Sequence, residues 1–169
     1  MKKLIAIALA ALLALSVSGC AKKEAGGLDG TTSEIIDKIY ANHASMDLHV
    51  DTMELDVTDA DAVAYNTGLT SGEKLSQASV SEAMMSQAYS LVVLRVKNAA
   101  DAAQVARDVY DNVNTRKWIC VEADTKTVMY SGDVVVLFMV DSGFDDVATV
   151  ESIQEAFKVV CNGNMTIVG

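Results

Sequence analysis

The stretch AYSLVVLRVK, residues 88–97, carries the clearest structural signal in the chain. Val92, Leu94 and Val96 fall on one side of an extended backbone, and Tyr89, Leu91, Val93, Arg95 and Lys97 on the other. Successive side chains of a strand point to opposite faces, so this period of two, rich in branched and aromatic residues, specifies a β-strand. Upstream, residues 75–85 read as a polar, serine-rich strand, joined to the first by a turn at Ser86-Gln87. Downstream, Ala99, Ala102, Val105, Ala106, Val109, Tyr110 and Val113 keep the spacing of an amphipathic helix for four turns. Residues 118–121 either prolong that helix or begin a strand. Residues 127–130 and 133–140 form a second hairpin around the loop Ser131-Gly132, since a short hairpin loop needs the positive φ that glycine supplies. Phe144, Val147, Val150, Ile153, Phe157 and Val160 describe a last helix, which Asn162-Gly163 stops.

Before this core, Thr31-Thr32-Ser33 opens a capped helix over 33–44, and 47–57 is extended. Thr58-Asp59-Ala60-Asp61 caps a short helix that Asn66-Thr67-Gly68 closes. The expected fold is therefore α+β: an antiparallel sheet of about four strands in β-β-α-β-β-α order, with two helices on one face, preceded by short N-terminal helices. Residues 32–169 make one domain, which at this length buries a core unaided. Residues 134–140 are apolar on both faces, as in a strand covered on both sides. Either the N-terminal helices or a partner supplies the second cover.

The N-terminus gives an address. Lys2-Lys3 precede an uninterrupted Leu/Ile/Ala run over 4–15. As a helix, that run spans about 18 Å, too short for a hydrocarbon core of about 30 Å. It has the form of an export signal. It ends in Val17-Ser18-Gly19-Cys20, which looks like a bacterial lipobox. Residues 1–19 are then a removed signal peptide, and Cys20 becomes a diacylglyceryl cysteine at the new N-terminus. The alternatives are a plain secretory signal or an uncleaved anchor. Residues 20–31 hold the lipidated cysteine and a glycine-rich, aperiodic tether. The expected location is the extracytoplasmic face of the cell membrane, lipid-anchored, because two acyl chains suffice for stable anchoring.

Five stretches, YNTGL (65–69), SQAYSLVVLRVKN (86–98), RKWICVEAD (116–124), SGDVVVLFMVD (131–141) and EAFK (155–158), resemble a family of small lipoproteins from low-GC Gram-positive bacteria built on a domain of unknown function. The resemblance spans most of the chain from residue 33 to 161. It implies a secreted, lipid-anchored α+β domain and carries over no catalytic or binding residues.

Acids outnumber bases by 23 to 13, for a net charge of −10, or −12 once Lys2 and Lys3 leave with the signal. Nucleic acid is excluded as a partner, since its recognition needs clustered Lys and Arg. The motifs of nucleophilic hydrolases, zinc proteases, phosphate-binding loops and dinucleotide folds are missing from the sequence. No cofactor and no dedicated metal centre is expected. Asp47, His49 and Asp51 share one face if they lie on a strand, a possible cation cluster; the alternative is a solvated acidic edge. Cys120 and Cys161 are the thiols left after lipidation, either bridged outside the membrane or buried as free thiols. Met84, Met85, Met129 and Met139 either fill a core or line a groove rimmed by Tyr89, Arg95 and Lys97. Trp118, beside Arg116-Lys117, is either a recognition aromatic or a hydrophobic plug. The leading expectation is a non-enzymatic binding or interaction module for an unidentified protein or small molecule. The alternatives are a cell-envelope hydrolase using carboxylates such as Asp133, Asp141 or Glu122, and a structural part of a membrane assembly.

Overall fold

The computed structural model describes residues 27–43, 49–84, 87–144 and 147–169. In it the alternating stretch is strand β3 (Tyr89–Val96), and its two faces separate as the sequence requires. Val92, Leu94 and Val96 enter one core, while Tyr89, Leu91 and Val93 enter another on the opposite side. The other strands are β1 (Val50–Glu54), β2 (Leu75–Ala83), β4 (Thr125–Ser131), β5 (Val134–Val140) and β6 (Thr166–Ile167). They form one antiparallel sheet in the order β1-β2-β3-β5-β4-β6. The class is α+β as expected, but the sheet has six strands rather than about four. The extended segment upstream becomes edge strand β1. The C-terminal residues, too short to show a period, add β6 along the free side of β4, where Val168 donates to the Val128 carbonyl at 2.8 Å.

The helices are α1 (Thr32–Ala41), α2 (Ala60–Thr67), α3 (Ala102–Asn112) and α4 (Val150–Val160). Thr31 and Glu34 form a reciprocal capping box on α1, and the Asp59 carboxylate caps α2. α2 ends at Gly68, whose φ of +75° is left-handed. A Cβ there would stand 2.4 Å from the backbone of Asn112, so glycine also lets α2 close against the end of α3.

The expected placement of two helices on one face is wrong. α3 lies with α2 over one core, and α4 lies with α1 over the other. The reason is topological. β3 connects through α3 to β4, its parallel neighbour but one; β5 connects through α4 to β6 in the same way. Both crossovers step toward the same edge of the sheet, but along strands of opposite direction. Crossovers of one hand then put their helices on opposite faces. Without β6 the second crossover is invisible, and so is the rule's consequence. β5 is thereby covered on both sides within the chain: Val134, Val136, Phe138 and Val140 face α1 and α4, and Val135, Leu137 and Met139 face α3. The N-terminal helix α1 thus shares the second cover with α4.

Two local expectations shift as well. The β4–β5 loop is Gly132-Asp133 rather than Ser131-Gly132, since Ser131 pairs with Val134. Gly132, at φ +57°, takes the first loop position, the glycine site of a type II′ turn. Residues 118–121 neither extend α3 nor form a strand; they belong to the irregular connection from α3 to β4. Of the expected first turn, Ser86 lies outside the described residues. The register gives the sheet two ends. The hairpin end carries Gly132-Asp133, Arg95 and the start of β2; the far end carries Tyr89, Glu82, Val140 and the 113–124 connection.

Candidate functional site

Chemistry gathers at the far end, on the α2/α3 face, around a lysine. Lys117 comes from the connection after α3, and its side chain is fully buried. Parity puts Glu82 of β2 and Ser90 of β3 on the same face, cross-strand partners beneath it. The ammonium lies 2.5 Å from Glu82 Oε1 and donates to Asn66 Oδ1 at 3.0 Å and Ser90 Oγ at 3.2 Å. It stands 5.2 Å from the Tyr65 ring and 5.3 Å from the Trp118 ring, within cation–π range of both. The Tyr65 hydroxyl closes the cluster by donating to the Lys117 carbonyl at 3.0 Å. Burial pulls the Lys117 amine below its usual value, and the Glu82 carboxylate opposes that shift. The cluster sets the 113–124 connection: one buried cation joins α2, β2, β3 and the loop.

Beside it, Arg116, Trp118, Cys120, Val121 and Glu122 line a hollow of about 290 Å³. Arg116 reaches Glu122 across it at 2.7 Å. Cys120 is exposed and adopts a left-handed φ of +68°, a conformation that costs a non-glycine residue about 1–2 kcal/mol. Trp118 is half-buried and packs on the α2/α3 core, the plug of the two alternatives. Ile119 next to it is 86% exposed.

A larger cleft, about 560 Å³, opens at the same end between β4, β5 and the start of α4. Lys126 lies on its wall, with its ammonium 4.4 Å from the Tyr110 ring and donating to the Tyr110 carbonyl at 2.6 Å. Asp124 accepts from both the hydroxyl and the N–H of Ser142, and these bonds hold its carboxyl below the ordinary carboxylate range. Glu151 and Thr149 bring the N-terminus of α4 to the rim, where backbone N–H groups point outward. The cleft therefore offers a fixed cation, a fixed anion, helix-end donors and the apolar side chains of Val140 and Val150.

The residues singled out from sequence are scattered. Cys20, Asp47 and Met85 lie outside the described residues. His49 and Asp51 are exposed on or beside edge strand β1; among the described residues no three His, Cys, Asp or Glu side chains gather as a metal site. Cys120 and Cys161 are free thiols rather than a bridge: Cys161 is buried in the α1/α4 core, and burial pushes its thiol up, whereas the neighbours of Cys120 pack on the other face. The methionine groove is not formed: Met129 and Met139 are buried on opposite faces, with Tyr89 fully inside. Arg95 and Lys97 stand at the hairpin end, as does Asp133, so Asp133 is a whole strand away from Asp141 and Glu122. Asp141 turns to its own loop, accepting from the Gly143 N–H at 2.8 Å.

Sequence reasoning passed over Lys117, Glu82, Asn66 and Lys126. The signal for the first pair was present: Lys117 sits between Arg116 and Trp118, and Glu82 is the acid in an otherwise serine-rich strand. No helix among the described residues is long and apolar enough to cross a membrane. Compared with models of protein families, with curated proteins and with solved structures, the chain finds no match.

Proposed function

We propose that the protein is a lipid-anchored, extracytoplasmic binding module that engages its partner through the far end of the sheet. The anchor rests on the basic, apolar and small-residue succession that ends at Cys20. It agrees with the resemblance to small Gram-positive lipoproteins. The binding role rests on one observation above all: the cleft of about 560 Å³ collects Lys126, Asp124, Glu151 and the α4 N-terminus around an apolar floor. Few convergent polar groups on a partly apolar concavity are what a recognition site requires. Ile119 and Met84, both exposed, add apolar surface at the same end of the sheet. A hydrolase built on Asp133, Asp141 and Glu122 gains no support, because Asp133 is committed to Arg95 and Glu122 to Arg116.

Two readouts test this in intact cells. Wild-type chain is expected in the membrane fraction, and the Cys20→Ser chain outside it. A photo-crosslinking residue at position 151 is expected to trap a discrete partner species that the same residue at position 158 does not. Wild-type chain in the soluble fraction, or equal trapping at both positions, overturns the reading.

A further inference from the structure

On one side the sheet ends in β1, and no described strand lies beyond it. β1 runs antiparallel to β2, with the His49 carbonyl accepting from the Met84 N–H and the Leu55 N–H donating to the Ala78 carbonyl, both at 2.9 Å. In such a pair, alternate residues turn their backbone groups toward the neighbour. The odd-numbered residues of β1 therefore bond to β2, and Val50, Thr52 and Glu54 direct their N–H and C=O groups outward. These groups form a row about 14 Å long, the template for a further strand.

The side chains along the row decide what pairs with it. Asp51, Glu54, Asp56, Asp59 and Asp61 are exposed, and residues 50–61 contain no Lys or Arg. Acids on an edge keep copies of one chain apart, since pairing β1 with β1 gathers carboxylates along the seam with no base to answer them. The same acids favour a basic strand, because opposite charges directly across a ladder attract and like charges repel. Apolar positions alternate with the charges. Val50 packs at the margin of the α1/α4 core, and Met53, which shares the opposite face with Asp51, is 50% exposed.

We infer that β1 is a docking edge for an extended, basic segment of a partner protein, which adds to the sheet as a further antiparallel strand. Cross-strand pairing sets the order of its side chains. A base stands opposite Glu54, an apolar residue opposite Met53, a β-branched residue opposite Thr52, a base opposite Asp51 and an apolar residue opposite Val50. Backbone bonds supply the affinity and the alternate side chains the choice of partner. This edge lies across the sheet from the cleft, which borders β4. The inference therefore goes beyond the cleft reading and rests neither on it nor on the anchor.

The probe is the capped peptide Gly-Lys-Val-Thr-Lys-Val-Gly, titrated into the isotope-labelled full-length chain in neutral detergent micelles. Amide shifts are expected to be largest along β1, with hydrogen exchange slowed at Val50, Thr52 and Glu54. N-methylation of the peptide's threonine, whose N–H meets the Thr52 carbonyl, is expected to abolish binding. N-methylation of its second lysine, whose N–H points away from β1, is expected to leave binding intact. The Asp51→Lys/Glu54→Lys chain is expected to bind the peptide at least about fivefold more weakly and to prefer the version with glutamates in place of the lysines. Both substituted positions are exposed. Should that chain still not fold, the pair of methylated peptides on the wild-type chain decides alone. The proposal is overturned by no saturable binding, by shifts confined to the cleft, by equal loss at the two methylated positions, or by equal binding of the acidic peptide to wild type. Slowed exchange at the same three amides without peptide, growing with protein concentration, identifies a second copy as the occupant and overturns it too.

Discussion

Each face of the sheet buries a polar network, and the two are made from opposite chemistry. Under α1 the network is neutral. Thr32 and Ser79 share a hydrogen at 2.7 Å, Tyr40 donates to Ser81 at 2.7 Å, Thr52 donates to the same oxygen at 3.0 Å, and Tyr89 donates to Tyr40 at 3.2 Å. Under α2 the network is ionic, with Lys117 and Glu82 at its centre. Hydroxyls both give and accept, so a chain of them enters the interior with its polarity satisfied. An ammonium and a carboxylate must first lose their water, and their attraction only partly repays that loss. The neutral network pins α1 to β2 at small cost. The ionic one ties a loop to three elements, and it is sensitive to every partner.

The sharpest way to break the contrast is Lys117→Ala. It strands Glu82 beside a void, and removing one member of a buried pair costs about 3–5 kcal/mol. Glu82 keeps 27% of its side chain exposed, so the loss belongs at the low end, about 3 kcal/mol by urea unfolding. A loss under about 1 kcal/mol, the range of exposed ion pairs, would mean that the pair behaves as a surface contact.

Smaller effects separate the tyrosines. Tyr40→Phe leaves the buried Tyr89 hydroxyl with no acceptor and is expected to cost about 2 kcal/mol. Tyr89→Phe removes only the terminal donor, while Tyr40 still reaches Ser81, and is expected to cost about 1 kcal/mol. The order of the two urea midpoints is the check; the reverse order would show that Tyr89 is held by another partner.

The smallest effect is in pH, and the two networks have opposite signs. Burial lowers the Lys117 value in the folded chain, so between that value and the ordinary lysine value the unfolded chain binds more protons. Stability therefore rises with pH across that window. Burial raises both Tyr40 and Tyr89. Their contribution is complete below the ordinary tyrosine value of about 10 and is lost as pH rises above it. Urea midpoints of wild type relative to Lys117→Met are expected to climb toward pH 10. Relative to a Tyr40→Phe/Tyr89→Phe chain they are expected to fall above it. A flat difference in the first comparison would show that Glu82 fully offsets the burial of Lys117.

What the chain's letters make legible follows from the same physics. β3 and β5 are readable because a run of branched and aromatic apolar residues is the direct image of a strand buried on both faces. The caps at Thr31 and Asp59 and the stop at Asn162-Gly163, both with positive φ, are local chemistry and read locally. β6 is two residues long and has no period, and with it goes the crossover that puts α4 opposite α3. Ser79 and Ser81 look like an exposed strand, yet both are fully buried, because their hydrogen-bond partners sit on α1, more than 40 residues earlier in the chain. Lys117 escapes for a similar reason: its partners come from positions 65, 66, 82 and 90, and composition alone places a lysine on the surface.

Everything proposed of the protein's location hangs from Cys20. The direct measurement is the mass of the N-terminal peptide of protein recovered from membranes. The account predicts a peptide that starts at Cys20 and carries a thioether-linked diacylglyceryl group. A peptide that still holds residues 1–19, or one that starts at residue 20 with a bare thiol, would contradict it.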